Sequence, residues 1–450
     1  MPRILTPPDL ASTFRKRVQS VSRVLESFDP ALEAFLQEHN DAYTPWEKLK
    51  RLKTPEGTAP EDIWVCIKMA RQGQYRILPF KDTAHKPFRY WVPDSAQELL
   101  HRIDQMGSGT LGLDGPDRPG DPQAERYLVT SLMEEAISSS ILEGAVTTRA
   151  EARQMLREGR KPRNGAERMV LNNYRAIRRI REISRQPLSI EVLNEIHRTV
   201  TEGMLEDPSQ AGRFQQPGEK RVGVVDEREG EFVHLPPPAE ELPQRMEEIV
   251  GFANDEHGKP FVHPVVRAIL VHFAIAYVHP YVDGNGRTAR AAFYWSMLHQ
   301  GYWLSEYLAI SSIIRKAPIQ YYAAFKHSEI DDCDVTYFIL YHLRVIDRAL
   351  SSFHDYLQRK RQQLALTSGR LTKYPALNHR QRALLAEALR NPGISYTFAS
   401  HAAAQGVNYF TARSDLYALV ALGLLTAVRG RPIRFFPAAN LEELLRDASR

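Results

Sequence analysis

Cysteine is nearly missing from this chain. Cys66 and Cys333 are the only two in 450 residues, too few for a disulfide framework or a four-cysteine zinc site. That scarcity points to a reducing compartment, so the expected location is cytoplasmic. No apolar run approaches the ~18 residues a membrane helix needs, and no membrane partner is expected. The opening MPRILTPPDL lacks the apolar stretch of a secretory signal. Glycine and proline number 25 and 29, which excludes collagen-like and wholly disordered chains. What is present is the composition of an ordinary globular protein, 43% hydrophobic and 25% charged. At roughly 150 residues per domain, its length suggests about three domains.

The reading along the chain is of a mainly α protein. Residues 1–106 mix aromatic-rich runs around Trp46, Trp64 and Phe88 to Trp91 with Pro and Thr. They read as a small α+β N-terminal domain. Residues 107–122 (GSGTLGLDGPDRPGDP) read as a linker. Residues 123–366 read as a helical core. Its first helix, 123–144, has Leu128, Leu132, Ala136 and Ile137 at helical spacing and Gly144 as its stop. Thr148 and Glu151 form a capping-box pattern for the next. Further helices are expected at Ala166–Ile183, Ser189–Thr201, Ala239–Asn254, Pro264–Val278, Arg287–Gln300 and Phe338–Leu366. Between them, Arg221–Val224 and Phe232–His234 are β-prone and read as a hairpin. Residues 367–450 give three helices and then two β-prone runs around Gly430, the order of a winged helix.

The chemistry concentrates in His279–Arg290, HPYVDGNGRTAR. The segment lies between two apolar helical runs, so it reads as a loop ending at a helix N-terminus. Gly284, Asn285 and Gly286 let backbone N–H groups turn inward there, where the helix dipole favours an anion. Arg287 and Arg290, three apart, share a face. Asp283 is a hard oxygen ligand suited to Mg²⁺ on phosphates, and His279 can accept a proton near neutral pH. A nucleotide polyphosphate fits this set better than a single carboxylate. His263 and His272 do not extend it into a metal site, and His272, on an apolar helix, reads as a core histidine.

These twelve residues resemble the Fic family signature HPFx[D/E]GNGRxxR, with Tyr281 in place of Phe; the resemblance covers roughly residues 123–350. It implies an all-helical Fic core with a β-hairpin flap and the transfer of AMP from Mg-ATP to a protein hydroxyl. Carried over by position, His279 is the general base for an incoming Ser, Thr or Tyr. Asp283 holds the metal, the 284–286 backbone cradles the phosphates, Arg287 binds them and Arg290 grips the γ-phosphate. Relatives resembling the Doc toxin carry Lys in place of Gly286 and act as kinases. Gly286 therefore implies nucleotidyl transfer.

Ser139 to Gly144 (SSILEG) resembles the family's inhibitory motif [S/T]xxxE[G/N], amino-terminal to the core as in its second class. The resemblance implies that Ser139 and Glu143 belong to an off switch, with the Glu143 carboxylate on Arg290 where the γ-phosphate must sit. It also implies a flap that docks the target through Val222, Gly223 and Val224, and aromatics near the nucleotide at Tyr321 and Tyr322. The protein itself is a possible target. The segment TARSDLYALVALGLL resembles a winged-helix recognition helix, which makes DNA a possible partner through residues 376–440. Thr411 and Arg413 would face the groove, while Asp415 weakens the basic footprint. Two other readings are a DNA-binding regulator that senses a nucleotide and a bifunctional enzyme that also removes AMP.

Overall fold

The computed structural model describes residues 4–107, 122–225, 232–256, 258, 260–372, 377–390 and 393–447. The chain divides into two compact units, Met1–Ser351 and Ser352–Arg450. The glycine-rich stretch read as a linker falls almost wholly outside the described residues, as does the tip of the hairpin at 226–231.

The first unit opens with α1 (Leu10–Leu25), α2 (Pro30–Asp41), α3 (Trp46–Leu49) and α4 (Pro60–Gln72). Asp9 caps α1 by accepting from the Ser12 amide at 2.8 Å, and Asp29 caps α2 ahead of Pro30. These helices close over Val21, Trp46, Leu49, Ile63 and Trp64. An antiparallel hairpin of β1 (Arg76–Lys81) and β2 (Pro87–Tyr90) and then α5 (Asp94–Gly107) follow. This amino-terminal segment is joined to the rest of its unit by a buried polar cluster. Asp334 accepts from the Tyr43 and Tyr75 hydroxyls, and Lys68 lies 2.9 Å from Asp331. Backbone bonds between Arg89 and the Cys333–Val335 segment add to the junction.

The helical core comprises α6 (Pro122–Leu142), α7 (Arg149–Glu158), α8 (Gly165–Ile183), α9 (Ile190–Thr201), α10 (Leu242–Ala253), α11 (Pro264–Val278), α12 (Asn285–His299), α13 (Ile310–Ile314), α14 (Pro318–Ile330) and α15 (Thr336–Thr372). At its centre α11 packs along α12, with α8 and α9 against α12 and α6 against α8. Every residue of α11 from Val265 to Val278 except Ala276 is buried, which is why its sequence is apolar all round rather than on one stripe. Helix α15 runs six residues past the expected Leu366, and its start is capped from Asp334 by a bond to the Thr336 amide. Among the described residues of the hairpin after α9, Val224–Val225 (β3) pairs with Phe232–His234 (β4), with Val224 opposite His234. Arg221, Val222 and Gly223 precede the ladder.

The second unit has its own core, built on Leu384, Leu385, Leu416, Leu419 and Phe435. Helices α16 (His379–Arg390), α17 (Phe398–Gln405) and α18 (Tyr409–Ala421) lead into an antiparallel hairpin, β5 (Leu425–Val428) with β6 (Arg434–Pro437). A final helix, α19 (Leu441–Asp447), has no counterpart in the sequence reading. Both cysteines are free and buried. No helix among the described residues is long and apolar enough to cross a membrane.

Candidate active site

The loop between α11 and α12 is built by residues whose backbone or side chain leaves little choice. His279 ends α11 in the left-handed conformation, φ 50° and ψ 55°, which turns the chain sharply after the last helical residue. Gly284 precedes α12 at φ 78°, and a Cβ there would lie 2.9 Å from the Thr201 methyl. Both the dihedral and the close approach require glycine. Between them, the Asn285 side chain accepts from the Tyr281 amide at 2.9 Å and donates to its carbonyl at 2.7 Å, closing the loop on itself. Tyr281 is fully buried. Its hydroxyl donates to Asn194 at 3.0 Å, so the departure from Phe is accommodated by a polar partner.

A residue that the sequence reading did not single out holds the loop from below. His197, on α9, stacks on Tyr281 with ring centroids 3.8 Å apart. Its Nδ1 accepts from the Gly212 amide at 2.9 Å, so Nε2 carries the proton that bonds the Asp283 carbonyl at 2.8 Å. Burial, reinforced by Arg287, lowers this imidazole to about 4.

Arg287 departs from its expected role. It is fully buried and donates to the Val200 carbonyl at 2.8 Å and to Asp283 Oδ2 at 3.0 Å. It therefore braces Asp283 from beneath instead of facing the cavity. The spacing of four between Asp283 and Arg287 was the available signal. Arg221 is a second unanticipated brace. Its guanidinium donates to the carbonyls of Val278 at 2.9 Å and His279 at 3.0 Å, and to Pro237 at 2.8 Å.

Above the loop lies a cavity of about 430 Å³ lined by His279, Asp283, Gly286, Arg290, Tyr321 and Tyr322, with Glu143, Gly223 and His234 on its rim. His279 directs Nδ1 at the Ala276 carbonyl, 3.3 Å away. A carbonyl only accepts, so Nδ1 holds the proton and Nε2 keeps its lone pair. Burial lowers this ring to about 4, helped by His234 and Arg221 and opposed by the Ala276 carbonyl and Glu143. The first amides of α12 have no acceptor within the helix, and they flank the same space. Tyr321 is pinned by His272, its hydroxyl 3.0 Å from Nε2. His272 is a buried core histidine as expected, although its Nδ1 has no protein partner.

The cavity is closed on one side by the turn after α6. Arg290, buried beneath α6, donates through Nε to Ser139 Oγ at 2.8 Å and through Nη2 to Glu143 Oε1 at 2.9 Å. Glu143 thus lies on Arg290, the one arginine among the described residues that lines the cavity, and it crowds Gly286, where a Cβ would meet its carboxylate. Asp283 presents a half-exposed carboxylate, each oxygen accepting one N–H. Lone pairs remain on both oxygens, so the donor fits a hard cation that completes its shell with phosphate and water. No group of three or more metal-ligating side chains occurs among the described residues.

These features coincide with what the chain is similar to. The family model described as Fic/DOC family matches residues 187–297, the span from α9 through most of α12. A Drosophila ananassae protein named Protein adenylyltransferase Fic is 30% identical over 120 residues, covering 27% of this chain and 22% of that one. Its Drosophila melanogaster counterpart is 32% identical over 115 residues, with 26% and 21% covered. The matched segment thus spans about a fifth of these curated relatives' length. A crystal structure of a Fic family protein from Desulfovibrio desulfuricans G20 superposes with a TM-score of 0.54 at 18% identity, over 80% of this chain and 99% of that one. At that identity the likeness concerns the fold alone. The segment from residue 187 to 297, which contains the loop, α11 and most of α12, is the part of the chain that is similar to the Fic/DOC family.

Proposed function

We propose that the protein transfers AMP from ATP to a Ser, Thr or Tyr hydroxyl of a protein, and that Glu143 holds this activity off. The observation that carries the reading is the state of His279. Its Nε2 lone pair opens onto the same cavity as the α12 amides and Arg290. An acceptor hydroxyl there gives its proton to Nε2 as its oxygen attacks the α-phosphorus. The bond to the bridging oxygen breaks and pyrophosphate leaves. The α12 amides and helix dipole stabilise charge on the phosphates. Asp283 is the residue that would hold Mg²⁺, which when bound neutralises phosphate charge. Gly286 puts no side chain of its own in the approach to those amides, the space that Glu143 takes.

Inhibition follows from occupancy. The Glu143 carboxylate and a γ-phosphate compete for the same guanidinium, and Glu143 crowds Gly286 as well. Removing a charge-assisted contact of this kind, worth about 1.5–3 kcal/mol, corresponds to about 10- to 100-fold in rate. The curated relatives' names, over the matched fifth of their length, support the same activity. The test is to incubate wild type, Glu143→Gly and Glu143→Gly/His279→Ala with Mg²⁺ and ATP and to measure intact mass. An AMP adduct, on the protein or on a supplied acceptor, is expected to rise in the single variant and vanish in the double. No adduct in any form, with ATP binding intact, would overturn the proposal.

A further inference from the structure

Helix α11 delivers His279 at its end, and its last four carbonyls have no amide partner within the helix. Each of them is accounted for. Ile275 accepts from the His279 amide at 3.0 Å, and Ala276 from the His279 ring at 3.3 Å. Tyr277 accepts from His234 Nε2 at 2.6 Å, and Val278 from Arg221 at 2.9 Å. His279 thus closes the first pair and the hairpin closes the second. The hairpin does so with Arg221, three residues before β3, and His234, the last residue of β4. The negative end of the helix dipole favours cations at this place.

His234 makes a second contact. Its Nδ1 lies 2.7 Å from Glu329 Oε1 on α14, and Lys326 lies 3.5 Å from the other carboxylate oxygen. A carbonyl only accepts, and so does an ionised carboxylate, which Lys326 beside it favours. Both ring nitrogens of His234 therefore carry a proton, and the ring is a cation with a charge-assisted bond on each side. Both anchors are held without the hairpin. The Tyr277 hydroxyl accepts from the Thr83 amide at 3.1 Å, and His327 of α14 lies 3.0 Å from Glu47 of α3. The hairpin has little of its own to hold it. Among the described residues its ladder joins two residues to three, and an isolated two-stranded hairpin is marginal in water. Gly223 and His234 nevertheless line the same cavity as His279.

We propose that His234 is a positioning residue for AMP transfer: by donating from both ring nitrogens, to the end of α11 and to α14, it fixes the hairpin beside His279, so that a target segment lying along the hairpin brings its hydroxyl to Nε2. This role rests on the transfer activity proposed above.

The test uses the full chain in the Glu143→Gly background, with ATP supplied and the chain's own AMP adduct read by intact mass. His234→Leu removes both donors, and His234→Arg restores the charge with N–H groups for both acceptors. In His234→Leu the maximal rate of adduct formation is expected to fall about 10- to 100-fold, the scale of loss for a misplaced reactant. The ATP concentration giving half that rate is expected to move less than about twofold. His234→Arg is expected to recover much of the rate. Backbone hydrogen exchange supplies a readout that needs no activity. Exchange at Val224, Val225 and Phe232–His234 is expected to quicken in His234→Leu and slow again in His234→Arg, with α8 exchanging as in wild type to verify the fold. Unchanged hairpin exchange in His234→Leu would overturn the proposal. So would equal rate losses in both variants, which would mean packing alone, or a change confined to the ATP requirement, which would mean a nucleotide contact. If Glu143→Gly itself forms no adduct while hairpin exchange behaves as expected, the transfer reading is what fails and the clamp on the hairpin stands.

Discussion

His279 and His197 sit on opposite sides of one loop, and burial keeps both neutral, but the consequences differ. His279 must accept a proton, and its ring is lowered to about 4. The neutral form therefore persists above that value, and protonation stops catalysis only below it. In the Glu143→Gly background, with the opposing carboxylate gone, the rate of AMP transfer is expected to stay level from about pH 8 down to pH 5 and fall through about pH 4. A midpoint near 6.5, the ordinary histidine value, would contradict the described environment. His197 touches no reactant; it places the Asp283 backbone. Glutamine can reproduce its pattern, accepting from Gly212 and donating to Asp283, whereas leucine cannot. His197→Leu is expected to lower kcat tenfold or more, since losing a buried hydrogen bond costs about 1–3 kcal/mol, with His197→Gln recovering much of it. Equal kcat losses in both variants would reduce His197 to a packing residue.

At the scale of elements, the junction of α6 with α12 makes inhibition a packing relation as well as an ion pair. Gly286 has no room for a methyl while Glu143 is in place. Gly286→Ala is therefore expected to displace the carboxylate from Arg290. Its cost in thermal stability should be greater in wild type than in Glu143→Gly, by about 1–3 kcal/mol. Additive melting shifts would show that the two positions do not meet. The sequence made α11, α12 and their loop legible because every device is local: a strongly apolar run, a glycine start and a carboxamide four residues from the backbone it closes. Glu143 was reachable only by resemblance, since nothing local joins it to a residue 147 positions away. His197 bonds a distant backbone carbonyl, and main-chain partners leave no mark in a residue pattern. Arg287 was misassigned because two arginines on one helical face looked alike, although one meets the Val200 carbonyl and the other meets Ser139. The hairpin's first strand begins at Val224 and not at Arg221, whose guanidinium instead grips the carbonyls of Val278 and His279.

The whole first unit contains rings that fold only without their proton. His197 and His342 are fully buried, and burial lowers them to about 4 and about 3. The unfolded chain takes up protons below about 6.5 that the folded chain refuses, so stability is full above that value and is lost as pH falls. Each ring contributes about 3–5 kcal/mol over that interval. Melting temperature is expected to be level above pH 7 and to drop steeply between pH 6.5 and 4; a level profile down to pH 4.5 would refute it. The two buried thiols have a different bearing. Burial raises Cys66 to about 11 and Cys333 to about 12, so neither offers appreciable thiolate at neutral pH. The folded chain should therefore remain unlabelled by maleimide at pH 7 and accept two labels once denatured. The native protein is in effect a blank background for site-directed chemistry: one cysteine introduced at exposed Leu235, just past β4, could report on the hairpin's movements without removing either natural cysteine.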